Sequence, residues 1–203
     1  PEGILLSISW TRFSPHISIP AEIAREISSG ERVFVAASNL TDSGSRPIFL
    51  QIEFIFFFIE LPLTKMEEDE LRTKNSDPYH KGVYYLDDIK LKDAMDILNE
   101  YKELLLNDGF VQYGFASHKT DDEIMISRYN IVSIYSNKIS NFESLFNKMK
   151  FKKKERIFTA WDTFNDENAG ERRLVQYNKK TIYSIVDDLK DKGIYRYEVK
   201  EDY

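Results

Sequence analysis

The chain has no cysteine among its 203 residues. Disulfides, thiolate catalysis and cysteine-based zinc sites are therefore excluded, and with them the small disulfide-stapled secreted class. Glycine (8) and proline (6) are scarce, too few for long disordered linkers. There are three histidines, His16, His80 and His118. None falls in an HxxxH or HExxH spacing, so no metal site and no cofactor are expected. No GxSxG, SxxK or glycine-rich phosphate loop occurs. The nucleophile-and-oxyanion-hole chemistries and the nucleotide cradles thus have no visible counterpart. No Lys or Arg precedes an apolar run at the N-terminus, so the expectation is a cytoplasmic protein without a signal peptide.

What is present is an ordinary globular balance, 42% hydrophobic and 31% charged, enough for one domain or two small ones. The net charge of -6 is uneven. Residues 1–100 hold 10 Lys+Arg against 17 Asp+Glu, and residues 101–203 hold 18 against 17. An acidic chain is repelled by nucleic acid and attracts basic partners.

The most apolar stretch is RPIFLQIEFIFFFIEL, Arg46–Leu61. A membrane helix needs roughly 20 apolar residues, and Gln51, Glu53 and Glu60 interrupt this run before Pro62 ends it. Read with period two, Ile48, Leu50, Ile52, Phe54, Phe56 and Phe58 share one face. The other face is polar at Gln51 and Glu53, then apolar at Ile55, Phe57 and Ile59. The expectation is a long central strand, covered on one side early and on both sides late.

Helical spacing, apolar at i, i+3, i+4 and i+7, occurs four times. The sets are Pro20–Ile27, Leu91–Leu98 continuing to Leu105, Phe142–Met149 with Ser140 and Glu143 as a capping box, and Ile182–Leu189 ending at Gly193. Strand-like runs separate them: Ile4–Trp10, Val33–Ser38, Ile48–Leu61, Phe110–Ser117, Glu123–Tyr135, Arg156–Phe164, Arg172–Tyr177 and Ile194–Val199. The order is β-α-β-β-α-β twice. The predicted fold is α+β, two tandem ferredoxin-like halves with antiparallel sheets and helices on one face. The halves are 1–120, carrying an acidic loop at 64–83, and 121–203; a single pseudo-symmetric domain is the other arrangement. KMEEDELRTKNSDPYHKG, Lys65–Gly82, is expected to be a solvated loop.

Candidate chemistry is sparse. His118 is followed by Asp121, Asp122 and Glu123 in a predicted hairpin turn, a place for a cation or an acid-base pair. YEVK, Tyr197–Lys200, holds an ExK triplet of the kind some nucleases use for a metal, without a carboxylate on a partner strand. KMKFKKKER, Lys148–Arg156, is the basic cluster and suits either a helix C-terminus or phosphate contact. GFVQYGF, Gly109–Phe115, is similar to the aromatic strand of RNA-recognition domains. It follows a helix here, whereas that family's long motif sits on the third strand of its unit. TAWDTFNDENAGERR, Thr159–Arg173, is the most distinctive loop. It reads as a hairpin whose Asp166 and Glu167 meet Arg172 and Arg173, with Trp161 as a contact residue.

These features point to a non-catalytic, acidic protein-interaction module. In character, with no shared motif, it resembles bacterial immunity proteins, which implies an inhibitor that occludes a basic partner such as a toxin. The expected partner-binding residues are Asp121, Asp122, Glu123, Trp161, Asp166 and Glu167. No catalytic residue and no membrane contact are expected, and nucleic acid is disfavoured by charge. The alternative is a nucleic-acid-binding or hydrolytic protein working on an open sheet face. The side chains on that face discriminate: aromatics with Lys or Arg favour nucleic acid, and a His-carboxylate pocket favours an enzyme.

Overall fold

The computed structural model describes residues 54–137, 142, 159–167 and 169–202. Its strands are β1 (Ile55–Pro62), β2 (His80–Ile89), β3 (Gln112–Ser117), β4 (Asp122–Ser127), β5 (Ile131–Tyr135) and β6 (Tyr195–Glu201). Its α-helices are α1 (Lys65–Leu71), α2 (Leu91–Asn107) and α3 (Ile182–Leu189). The expectations for Pro20–Ile27, for the first two strands and for Lys148–Arg156 lie outside the described residues. Phe142 of the third predicted helix is helical and buried.

Two compact units emerge, each discontinuous in sequence. One is Pro1–Glu53 with Ser117–Gly170, the other Phe54–Ala116 with Glu171–Tyr203. The expected boundary at Asp121 falls inside the first.

The second unit is built on an antiparallel sheet in the order β3-β1-β2-β6. β1 is the later part of the apolar run, central as expected; residues 46–53, the earlier part, lie outside the described residues. Ile55, Phe57, Ile59 and Leu61 on one face and Phe58 and Glu60 on the other are all buried. Pro62, which cannot donate to a ladder, ends it. β2 and β3 flank β1 with α2 as the crossover, a split β-α-β. β6 pairs with β2, so this sheet draws strands from both sides of residue 121, unlike two self-contained tandem halves. β2 offers its second edge to β6.

Helices α2 and α3 follow the predicted periodicity. They bury Ala94, Ile97, Leu98, Tyr101, Leu104 and Leu105, and Ile182, Ile185, Val186 and Leu189. The Tyr101 hydroxyl on α2 donates to Asp188 on α3 at 3.0 Å. Lys180 reaches the same carboxylate at 2.7 Å. At the end of α2, Asp108 accepts from the N–H groups of Phe110, Val111 and Val175. Gly109 sits against the segment it ties down. A Cβ there would lie 2.9 Å from the Arg173 nitrogen, closer than packing allows.

Three expectations are corrected. Lys65–Gly82 is not an open loop: it begins with α1 and ends in β2. Thr64 and Glu67 close a capping box, with the Glu67 carboxylate accepting from the Thr64 N–H at 3.0 Å. After α1, Asp77 accepts from the Thr73 and Lys74 N–H groups at 2.9 and 2.8 Å. Glu123–Tyr135 is not one strand but two, β4 and β5, paired antiparallel around Arg128–Asn130. Tyr129 turns the chain at φ 60°, an uncommon conformation for a bulky residue. The strands expected at Arg156–Phe164 and Arg172–Tyr177 are absent from the described residues of those segments, 159–164 and 172–177. Ala160–Thr163 is a 3₁₀ turn, and among the described residues Tyr177 forms an isolated bridge with Lys180.

Candidate functional site

In the first unit, the loop from Thr159 to Gly170 presents its tryptophan. Asp162 accepts from the Thr159 N–H and hydroxyl at 2.8 and 2.9 Å, and the Thr163 hydroxyl donates to the Ala160 carbonyl at 2.6 Å. Ala160 is buried. With that residue anchored, Trp161 is left 53% exposed. Its ring meets Tyr129 edge-on at 5.0 Å and Phe164 at 5.5 Å, and Tyr129 meets Phe164 at 5.0 Å. Such edge-to-face pairs fix ring positions beyond simple burial. Gly170 closes the loop over Phe164. Its φ is +76°, and a Cβ would lie 2.7 Å from that ring, so only glycine fits. Asp166 and Glu167 are exposed in the same loop, in a turn where Asn165 accepts from the Glu167 N–H at 3.0 Å.

The other predicted residues separate from this cluster. Asp121 is exposed at φ 56°, in a turn closed by its N–H to the Ser117 carbonyl. Asp122 is buried and accepts from the Ser136 hydroxyl, so it faces inward and not toward a partner. Glu123 is half-buried on β4. These three stand at the start of β4, whereas Tyr129 lies beyond its end. A six-residue strand spans roughly 20 Å at about 3.4 Å per residue. Asp121, Asp122 and Glu123 thus stand at the opposite end of β4 from Tyr129. Trp161, Asp166 and Glu167 share a loop, and sequence reading missed Tyr129 and Phe164 as their support. The signal was weak, since Ile124, Ile126, Val132 and Ile134 alternate in phase straight through the turn. Arg172 and Arg173 belong to the second unit. Arg172 stacks on Phe110 at 5.0 Å, and Arg173 pairs with Glu171 at 3.1 Å.

The second unit holds a buried charge network. Glu60 on β1 is 5% exposed. It receives Lys81 from β2 and Lys200 from β6, both at 2.6 Å, and Gln112 from β3 at 3.2 Å. Lys81 also approaches Asp202 at 3.8 Å. Burial pushes the Glu60 carboxyl up, but the hydrogen bonds from Lys200 and Lys81 prevail and hold it below its ordinary range. Beside the network runs an aromatic row. Tyr85 stacks on Tyr197 at 4.9 Å and meets Phe56, Phe58 and Tyr195 edge-on. A bulge on β6 opposite Val83 and Tyr84 brings both Tyr195 and Tyr197 onto Tyr85.

The ExK lysine is thus bound to Glu60 of β1. Among the described residues no group of three or more His, Cys, Asp or Glu is placed to hold one. His118 is exposed. His80 lies on β2, not in a loop, with its ring 3.1 Å from Glu68. Tyr113 of the predicted aromatic strand is buried, so it does not offer its ring to a base. Among the described residues no helix is long and apolar enough to cross a membrane. No family model, no curated protein and no solved structure matches the chain.

Proposed function

We propose that the chain is a non-catalytic protein-interaction module, an antitoxin-like cytoplasmic inhibitor that occludes a basic partner protein through the loop around Trp161. The observation that supports this reading is a half-exposed tryptophan, pinned by Tyr129 and Phe164, with Asp166 and Glu167 exposed in the same loop. Pre-organised Trp and Tyr side chains dominate binding hot spots, because they bury a large area at little cost in rotamer freedom. Carboxylates beside them would steer a basic surface and raise its association rate. The split β2-α2-β3 crossover supports a ferredoxin-like reading of the second unit's fold.

The test is a pull-down from native lysate at low and at physiological salt, with wild type, Trp161→Ala and the pair Asp166→Asn/Glu167→Gln as baits. The expected result is one basic protein, retained more strongly at low salt. Trp161→Ala should weaken its binding about thirtyfold, a typical hot-spot loss. The charge pair should slow association and flatten the salt dependence. Undiminished binding by Trp161→Ala removes this site assignment.

A second reading rests on Tyr85, Tyr195 and Tyr197, an aromatic row of the kind that stacks bases. Against it, Lys81 and Lys200 are already bound to Glu60, and the Tyr195 hydroxyl donates to Asp87 at 2.8 Å. Retained RNA in the same pull-down would favour this reading over the first.

A further inference from the structure

β6 ends the sheet order of the second unit, and among the described residues it pairs on one side only, with β2. A strand edge leaves a row of backbone donors and acceptors that a further strand can use. The side chains of β6 are largely exposed. Tyr197 is 60% and Val199 41% exposed, and Arg196, Glu198 and Glu201 are exposed as well.

The sequence of the edge restricts which strand fits. A second copy adding across a two-fold axis normal to the sheet must set one residue opposite its own copy. The bulge around Tyr197 breaks the alternation, so regular pairing is confined to Glu198 onward, where Glu198 faces Val83 and Lys200 faces Lys81. Centring on Glu198 opposes Glu198 to itself. Centring on Lys200 opposes that lysine to itself and Glu198 to Asp202. Like charges directly opposite one another are unfavourable. Centring on Val199 sets Glu198 opposite Lys200 twice, on one face of the sheet, and places the two exposed valines together. Lys200 keeps 40% of its side chain exposed while bound to Glu60, so it remains accessible to a second carboxylate.

We propose that the β6 edge is a homodimer interface, in which two copies pair antiparallel about Val199 with reciprocal Glu198–Lys200 contacts. The paired stretch is short, so the association is weak and concentration-dependent. It does not depend on the Trp161 loop, which belongs to the other unit.

The cysteine-free chain gives a direct test by single-cysteine cross-linking. Directly opposite residues in an antiparallel pair have Cα atoms about 4.5–5.5 Å apart, within the range a disulfide spans. Val199→Cys, Glu198→Cys and Lys200→Cys are oxidised mildly at several protein concentrations, and sedimentation velocity is run on wild type and Glu198→Lys. The expected result is rapid covalent dimer for Val199→Cys alone. Wild type should show a mass that rises with concentration, and Glu198→Lys, which faces lysine with lysine, should remain monomeric. A wild type that stays monomeric at every concentration overturns the proposal. So does a dimer in which Val199→Cys cross-links no faster than the other two.

Discussion

Glu60 offers the sharpest test of how the sheet unit is held together. Glu60→Gln removes a carboxylate that is 5% exposed and takes two lysines at 2.6 Å. The variant leaves the Lys81 side chain, 14% exposed, with Asp202 at 3.8 Å as its remaining carboxylate. Breaking a buried pair costs about 3–5 kcal/mol, chiefly through the charge left behind. Lys200 is partly solvated, and its share is of surface-pair size, about 1 kcal/mol or less. Because Asp202 partly compensates Lys81, the expected total is about 3 kcal/mol. With a urea slope of about 2 kcal/mol/M, the unfolding midpoint falls by about 1.5 M. The pH dependence has a definite sign. Burial raises the Glu60 pKa, but the Lys200 and Lys81 hydrogen bonds outweigh it, so the folded value lies below the ordinary 4.5. A carboxylate depressed by folding contributes fully above its unfolded pKa, and the contribution fades as pH falls through the folded value. The gap between wild type and Glu60→Gln should therefore be complete at pH 7 and shrink below about pH 4.5. Urea titrations monitored by circular dichroism at pH 7, 5, 4 and 3 measure it. A gap under about 1 kcal/mol at pH 7, or one that does not change down to pH 3, would refute the reasoning. As a further check, the triple variant Glu60→Leu/Lys81→Met/Lys200→Met should recover most of the loss, since an apolar replacement of a whole buried network is often neutral.

Other expectations follow from local geometry. Asn178 and Lys179 form the two-residue turn between Tyr177 and Lys180, with φ of 49° and 64°; Lys179→Gly should raise stability by about 1 kcal/mol in thermal or urea unfolding, because glycine adopts this region without strain. Asp108→Ala withdraws the acceptor from three backbone N–H groups. It should cost about 2–3 kcal/mol and speed hydrogen exchange at Val175 first. Burial raises the Asp108 pKa despite those bonds, so wild type should lose stability relative to Asp108→Ala as pH rises from the unfolded value of 3.8 through the folded one. Thr64→Ala opens the capping box of α1 and should cost about 1 kcal/mol, with faster exchange confined to 65–71.

Residue patterns made some of the regular elements legible, though not β2. The i, i+3, i+4 spacing located α2 and α3 because each buries a single stripe against the rest of its unit. The second half of the apolar run announced a strand covered on both faces, and Phe57–Leu61 is buried that way. Where sequence reading failed, the local signal was weak or misleading. α1 has its two large apolar residues, Met66 and Leu71, exposed, so no periodicity marked it; the T-x-x-E of Thr64–Glu67 was the clue available. The β4–β5 turn lacks glycine and proline, and its flanking isoleucines and valine keep phase. Among the site residues, Trp161 stood out by type alone; Asp166 and Glu167 in the turn after it are exposed. The inward turn of Asp122 depends on Ser136, a residue its own neighbourhood in sequence does not reveal.

The sequence by itself determined composition, charge, the absence of thiol chemistry and the positions of α2, α3 and β1. These depend on spacing along the chain, which a linear pattern records. Only the tertiary structure decided that β6 pairs with β2, that Glu60 is shared by Lys81 and Lys200, and that Tyr129 supports Trp161. Each of these joins residues that are distant in sequence, and the energy that selects them comes from register and burial, which exist only once strands are side by side.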